Sequence, residues 1–176
     1  VLRIEDGLRQ LEGLSLVVGL AVMQALRESG VQGAALKWPN DVLVGQQKIA
    51  GILLELVGDP ADICHVVLGI GINVNMQKSD AIDQQWTSVQ LETGAPVDRN
   101  SLVGRLGQQL LSHLERHKTG GFAVLQGEWE CNHAWQGRTV SLIAGVNQVD
   151  GVVLGVDRQG ALRLSVDGVE KIYSGG

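Results

Sequence analysis

The chain has 176 residues, of which 44% are hydrophobic and 19% are charged, and its formal net charge is −5. A chain of this length buries roughly 70% of its unfolded surface when it folds, and the composition is ordinary for a globular protein, which argues against intrinsic disorder. The negative charge provides no basic footprint for nucleic acid and no attraction to an anionic membrane.

The apolar periodicity predicts a helix over about 13–29, with Gly30 as its stop. Residues 1–4 resemble a strand. Short apolar and β-branched segments predict further strands near 34–38, 42–44, 48–57 and 64–72. A glycine-containing hairpin connection is expected at 45–47.

The polar stretch 75–99 predicts a long functional loop. A second helix is predicted over 101–118, with Asn100 or Ser101 as its N-cap, and a third over 121–133. After Trp135 the sequence changes to short alternating strands, separated by turn signals, which predict a small barrel or meander. We therefore expect two domains, 1–135 and 136–176.

Two cysteines, Cys64 and Cys131, are far apart and belong to no metal-ligand pattern. We interpret them as free thiols in a reducing compartment. The apolar stretch 14–26 is too short to cross a bilayer, and no secretory signal is visible. These features predict a cytoplasmic protein without a membrane partner.

Chemically informative residues lie where the predicted strands end. They form three segments, Lys37-Trp38-Pro39-Asn40-Asp41, Lys48-Ile49-Ala50-Gly51 and Gly69-Ile70-Gly71-Ile72-Asn73. Pro39 cannot donate to a sheet ladder and keeps the preceding residue extended, so Asn40 and Asp41 are expected at a turn. Lysine, carboxylate and amide groups beside bare glycine backbone predict a site for an anionic small molecule.

In this order and spacing, the three segments resemble those of biotin protein ligases, the enzymes that biotinylate carboxylase carrier domains. The pentapeptide is highly specific, the other two segments are specific in combination, and the resemblance extends from about Leu14 to Gly176. It implies an α+β fold: a mixed β-sheet with helices packed on one face (the class II synthetase-like catalytic domain of biotin and lipoate ligases), followed by a small Src-homology-3-like β-barrel. It also implies that biotin and ATP give biotinyl-adenylate, which then acylates a carrier lysine.

The resemblance implies roles for individual residues. Lys48 matches the family's essential lysine, whose ammonium neutralises both the biotin carboxylate and the phosphate of ATP. The biotin pocket would be formed by Lys48 with Gly51, Gly69 and Gly71. The nucleotide side would be formed by Lys37, Asn40, Asp41 and Asn73. No protein metal site is predicted, and Mg²⁺ is expected with ATP. Asp41 would either orient groups around the nucleotide or hold Mg²⁺ through water.

Simpler interpretations of these residues remain open. Asp41 and Asn40 also fit a turn that is closed by their own side chains, and Asn73 also fits a strand end. Lys37 also fits a lysine that extends into solvent, and the glycines fit bulges or a twist. Residues 76–86 match the family's adenylate-covering segment, in which Trp86 would either fold over the nucleotide or anchor the loop.

Two other functions remain as alternatives: a lipoate-type acyl ligase, and an inactive truncated binding or dimerisation module. Both ends of the chain look cut, so we expect a fragment that lacks the family's biotin-binding loop and is inactive and dimer-prone alone. The expected partner is a biotin carboxyl carrier domain. A homodimer is possible, and DNA is expected as a partner only if the longer protein has an N-terminal DNA-binding domain.

Overall fold

The computed structural model describes residues 1–4, 10–58, 64–78, 82–144 and 147–174. Its larger sheet contains β1 (Leu2–Ile4), β2 (Ala34–Lys37), β3 (Asp41–Val44), β4 (Gln47–Gly58) and β5 (Cys64–Ile72). The strand order is β1-β5-β4-β3-β2, and neighbouring strands are antiparallel. In the described residues, parallel pairing is limited to two isolated bridges, Leu36 with His133 and Lys48 with Trp86. The predicted mixed sheet is therefore antiparallel apart from these two bridges.

Helices cover one face of this sheet. They are α1 (Leu14–Glu28), α2 (Val89–Thr93), α3 (Arg99–Gly120), a short 3-10 helix (Phe122–Val124) and α4 (Gln126–Cys131). Helix α1 lies between the sheet and α3, and is therefore buried on nearly every side. The predicted helix over 13–29 is confirmed, and Gly30 follows it with a positive φ of 100°.

Three details of the helical prediction are wrong. The N-cap of α3 is Asp98, whose carboxylate accepts from the N–H groups of Asn100 at 3.1 Å and Ser101 at 3.2 Å. The predicted continuous helix over 121–133 is divided between the 3-10 helix and α4. The stretch 75–99, which was expected to be irregular, contains α2, and Ser88 caps this helix by accepting from Leu91.

A second, four-stranded sheet follows, as an antiparallel meander of β6 (Thr139–Ala144), β7 (Asn147–Val156), β8 (Leu162–Val166) and β9 (Val169–Tyr173). The β8–β9 hairpin turns at Asp167-Gly168, and both residues have positive φ, of 53° and 79°. This is the backbone that a two-residue hairpin of this twist requires. Trp38 and Trp135 pack against the meander's core. The helices on the first sheet and the separate four-stranded meander confirm the predicted α+β fold.

Among the described residues, no helix combines the length and the apolar character needed to cross a membrane.

Candidate functional site

The pentapeptide 37–41 forms the connection between β2 and β3. Lys37 ends β2 and is paired directly with Asp41, which begins β3. The two side chains therefore leave neighbouring strands on the same side of the sheet, because opposed residues in an antiparallel pair share a face. The sequence prediction that Asp41 lies at this turn is confirmed.

Three elements hold this turn from different sides. The Ser15 hydroxyl at the start of α1 donates to the Pro39 carbonyl at 3.1 Å. The Trp38 indole N–H donates to the Gly160 carbonyl, in the β7–β8 turn, at 3.0 Å. Both bonds link residues that are far apart in sequence, so the position of the turn depends on α1 and on the meander.

The third element is β4, to which Asn40 makes two bonds. Its side-chain amide donates to the Ile52 carbonyl at 2.8 Å, and its own carbonyl accepts from the Ile52 N–H at 2.9 Å. Asn40 lines a groove of ≈ 370 Å³ beside the start of α1. The described structure therefore brings Asn40 to β4 and not to the lysines, a position that favours a structural role in anchoring the turn to β4.

A charge cluster lies at the end of the same turn. The Lys48 ammonium is 2.6 Å from Oδ1 of Asp41, and the Lys37 ammonium is 3.5 Å from Oδ2. The Asp41 side chain is 13% exposed and that of Lys48 is 29% exposed. One carboxylate is therefore shared by two cations, which leaves the cluster with a net positive charge that suits an anionic ligand.

Gly51 makes room for Lys48. Asp41 and Gly51 are paired across β3 and β4, and the Lys48 side chain folds over the bare Cα of Gly51. A Cβ at residue 51 would lie 3.0 Å from Cε of Lys48 and 3.1 Å from its Nζ. The absence of a side chain at this position therefore allows Lys48 to reach Asp41.

A cleft of ≈ 400 Å³ opens beside Lys48. Gly51 and Gly71, which are paired across β4 and β5, form part of its wall. A Cβ on Gly71 would meet no atom closer than the Gly51 carbonyl oxygen at 3.9 Å, so this backbone faces open space. Gly69 lies two pairs further along the strand, opposite Leu53, where an added Cβ would lie 3.2 Å from the Leu53 carbonyl oxygen. Its lack of a side chain is thus explained by strand packing.

Asn73 lies at the end of β5 and also lines the cleft. Its amide N–H₂ group donates to the Thr87 carbonyl at 3.0 Å and to the Lys48 carbonyl at 3.4 Å. Both donors therefore bind backbone, while the residue remains at the cleft wall. This position is compatible with both interpretations of Asn73.

The segment around Trp86 runs alongside Lys48. The Lys48 N–H donates to the Gln85 carbonyl at 3.0 Å, and the Lys48 carbonyl accepts from the Thr87 N–H at 3.0 Å. Trp86 also lines the cleft, together with Ile82 and Gln84. The part of the predicted covering segment over 79–81 lies outside the described residues. Ile82 and Gln84 belong to the predicted covering segment, although neither was named individually as a site residue.

A larger cavity of ≈ 680 Å³ is lined by residues of the pentapeptide and of the meander. His133 on its wall is buried and stacks on Trp129, with ring centroids 4.6 Å apart. Burial lowers the pKa of His133 to about 4, although a hydrogen bond to Gln136 acts in the opposite direction. Among the described residues its Nδ1 has no hydrogen-bond partner, so the imidazole is a neutral core group at pH 7.

Comparisons with known proteins give concordant matches. The model of the biotin/lipoate A/B protein ligase family matches residues 1–73. The bifunctional ligase/repressor BirA of Escherichia coli is 38% identical over 99% of this chain, which spans 54% of that protein. The biotin–[acetyl-CoA-carboxylase] ligase of Paracoccus denitrificans is 35% identical over 93% of this chain and 71% of its own length.

A solved structure agrees with these matches. The biotin protein ligase of Aquifex aeolicus in complex with biotin and ATP superposes with a TM-score of 0.82 at 29% identity. The match covers 97% of this chain and 70% of that one. The chain spans about half the length of the bifunctional relatives that it matches.

Proposed function

The chain belongs to the biotin protein ligase family, and from this membership we propose that the protein attaches biotin to a lysine of a carboxylase carrier domain at the expense of ATP. The observation that carries the proposal is the Lys48 ammonium, held by Asp41 at the mouth of a cleft with a bare glycine wall. A cation beside uncovered backbone suits a flat, carboxylate-bearing ligand such as biotin.

In the proposed first step, a biotin carboxylate oxygen forms a bond to the α-phosphorus of ATP, and the bond from that phosphorus to pyrophosphate breaks. Two anions must approach each other, so the barrier is largely electrostatic. The Lys48 ammonium has three N–H donors, of which the Asp41 contact needs one. The others can bind the carboxylate and the phosphate, and a donor of this kind is worth about 3–4 kcal/mol in the transition state.

On the biotin side, we propose that Gly51 and Gly71 receive the ring system. Gly71 supports this role because it faces open space in the cleft. Gly69 was predicted with them, and we retain it as an indirect contributor that allows β4 and β5 to approach closely.

On the nucleotide side, we propose direct contacts from Lys37 and Asn73. Asn40 was predicted with them, and its bonds to Ile52 support an indirect role in fixing the turn. Trp86 and its neighbours would cover the adenylate, since excluding water protects a mixed anhydride from hydrolysis.

Mg²⁺ is proposed as the companion of the ATP phosphates. This ion prefers oxygen ligands, keeps several waters and usually takes one or two carboxylates from the protein. Asp41 fits as a ligand through water, because both of its oxygens already face ammonium groups. When bound, Mg²⁺ would neutralise phosphate charge.

In the proposed second step, the carrier lysine amine attacks the carboxyl carbon of biotinyl-adenylate, an amide forms and AMP leaves. We further propose a catalytic domain over 1–135, a terminal domain over 136–176 and a cytoplasmic location. A homodimer and a DNA-binding role are proposals for the full-length protein, the second only if it has an N-terminal DNA-binding domain.

The test is biotin-dependent exchange of labelled pyrophosphate into ATP by the full-length protein, followed by biotinylation of a purified carrier domain. Exchange that depends on biotin, and is lost in Lys48→Met but kept in Lys118→Met, would support the proposal; Lys118 is an exposed lysine of α3. Exchange that depends on lipoate instead would identify the lipoate-type alternative. A folded full-length protein without exchange for either acid would support the inactive binding module.

A further inference from the structure

The ring of Trp135 lies over the ammonium of Lys37, with 5.4 Å between Nζ and the ring centroid. A cation within about 6 Å of an indole face is attracted by the negative potential of that face. The same ammonium lies 3.5 Å from Oδ2 of Asp41. Lys37 is therefore held from two sides, by an aromatic ring and by a carboxylate.

The backbone fixes Trp135 in this place. The segment just before it runs beside β2: the Leu36 N–H donates to the Asn132 carbonyl at 2.9 Å, and the Ala134 N–H donates to the Leu36 carbonyl at 2.8 Å. Trp135 also packs against the core of the meander. The indole is thus preorganised beside Lys37, and little side-chain entropy remains to be lost when the contact forms.

The two oxygens of Asp41 face different ammonium groups, Oδ1 that of Lys48 and Oδ2 that of Lys37. While Lys37 occupies Oδ2, Lys48 contacts a single oxygen and keeps its other donors for a substrate. If Lys37 moved into solvent, both oxygens could turn to Lys48. The essential ammonium would then be held more tightly and in a different direction.

We propose that Trp135 is a positioning residue for the adenylation step. By retaining Lys37 at Oδ2 of Asp41, it keeps Lys48 on Oδ1 and directed at the cleft. This inference rests on the proposed function, because it assigns an indirect role in that same reaction.

The experiment replaces Trp135, in the full-length protein, with tryptophans that carry a growing number of fluorine atoms. Fluorine weakens the negative potential of the ring face while nearly preserving its shape, so it separates attraction from packing. We expect the kcat of biotin-dependent pyrophosphate exchange to fall stepwise, by about two- to fivefold in total. The KM for biotin should change little, because neither Trp135 nor Lys37 contacts biotin in this scheme. The KM for ATP should rise modestly, because Lys37 is proposed to contact the nucleotide.

Two controls make the result specific. In a Lys37→Met background, fluorination of Trp135 should have no further effect on kcat. The same fluorination at Trp129, which stacks on His133 and not on a lysine, should leave kcat unchanged. A kcat that is insensitive to fluorine at residue 135, or an equal fall in the Lys37→Met background, would overturn the proposal.

A stability measurement separates this inference from the proposed function. Urea unfolding of the wild type, fluorinated Trp135, Lys37→Met and the double variant gives the coupling between the two residues without any substrate. A favourable coupling is expected, and a coupling of zero would overturn the contact. The cycle can give a favourable coupling while the wild type shows no biotin-dependent exchange. In that case the proposed function fails, and with it the role of Trp135 in adenylation, while the contact between Trp135 and Lys37 stands.

Discussion

The side chain of Lys48 lies over the Cα of Gly51, in space that a side chain at residue 51 would fill. A Cβ at this position would lie 3.0 Å from Cε of Lys48. The contact is with the flexible end of a side chain, so Gly51→Ala should move the ammonium and leave the sheet intact. We expect adenylation to fall about tenfold or more, because small misplacements of a catalytic group are costly. Pyrophosphate exchange measures the fall, and an unchanged urea midpoint shows that the fold is kept.

The comparison variant is Gly71→Ala, at the position paired with Gly51, where an added Cβ meets open space. It should not disturb Lys48, so its effect should appear mainly in the KM for biotin. Equal losses of kcat in the two variants would contradict the conclusion that the missing side chain at residue 51 makes room for Lys48.

Lys48→Ala should reduce adenylate formation at least about hundredfold while the protein stays folded, because it removes the cation between carboxylate and phosphate. The Lys37 ammonium remains beside Asp41, so the carboxylate keeps a partner and the loss of stability should be small. Single-turnover formation of biotinyl-adenylate is the direct measurement. Near-wild-type rates in a folded variant would remove Lys48 from the catalytic role.

Gly71→Val should block biotin binding, because it places methyl groups where the ring system is proposed to lie. The effect on stability should be smaller, because the position faces the cleft. Calorimetric titration with biotin measures the affinity of the full-length variant, which is compared with that of the wild type. Gly69→Val is the matched comparison: it faces the Leu53 carbonyl and should cost stability more than affinity. An unchanged biotin affinity in Gly71→Val would place the pocket elsewhere.

The strands and the first helix could be predicted because local signals mark their ends. Pro39 ends β2, and Gly30 follows α1. The N-cap of α3 was missed because Asp98 and the two polar residues that were proposed instead are all capable caps. The choice depends on which carboxylate or hydroxyl reaches the free N–H groups.

The residues predicted for the site lie on the β3–β4 hairpin and at the end of β5, where Gly71 and Asn73 line the same cleft as Lys48. Asp41, Lys48 and Gly51 come together because β3 and β4 pair, and that pairing follows from a short connection. Trp135 reaches the site through contacts between distant segments, which neither periodicity nor spacing encodes. The bonds between Asn40 and Ile52 could not be predicted either, because an amide in a loop uses the same donors for a ligand or for backbone.

His133 predicts a pH dependence of stability. Its pKa in the folded protein is about 4, against 6.5 for the free side chain, because burial disfavours the charged form. Above about pH 6.5 the imidazole is neutral in both states, so its contribution is fully present. As the pH falls from 6.5 towards 4, His133 is protonated in the unfolded chain but stays neutral in the folded one. The free energy of unfolding therefore falls by on the order of 3 kcal/mol. Below about pH 4 both states are protonated and this contribution stays constant.

His133→Phe keeps a ring against Trp129 and removes the titration, so urea unfolding between pH 7 and pH 4 should show a shallower loss of stability than the wild type. Parallel pH profiles for His133→Phe and the wild type would show that His133 titrates normally in the folded protein.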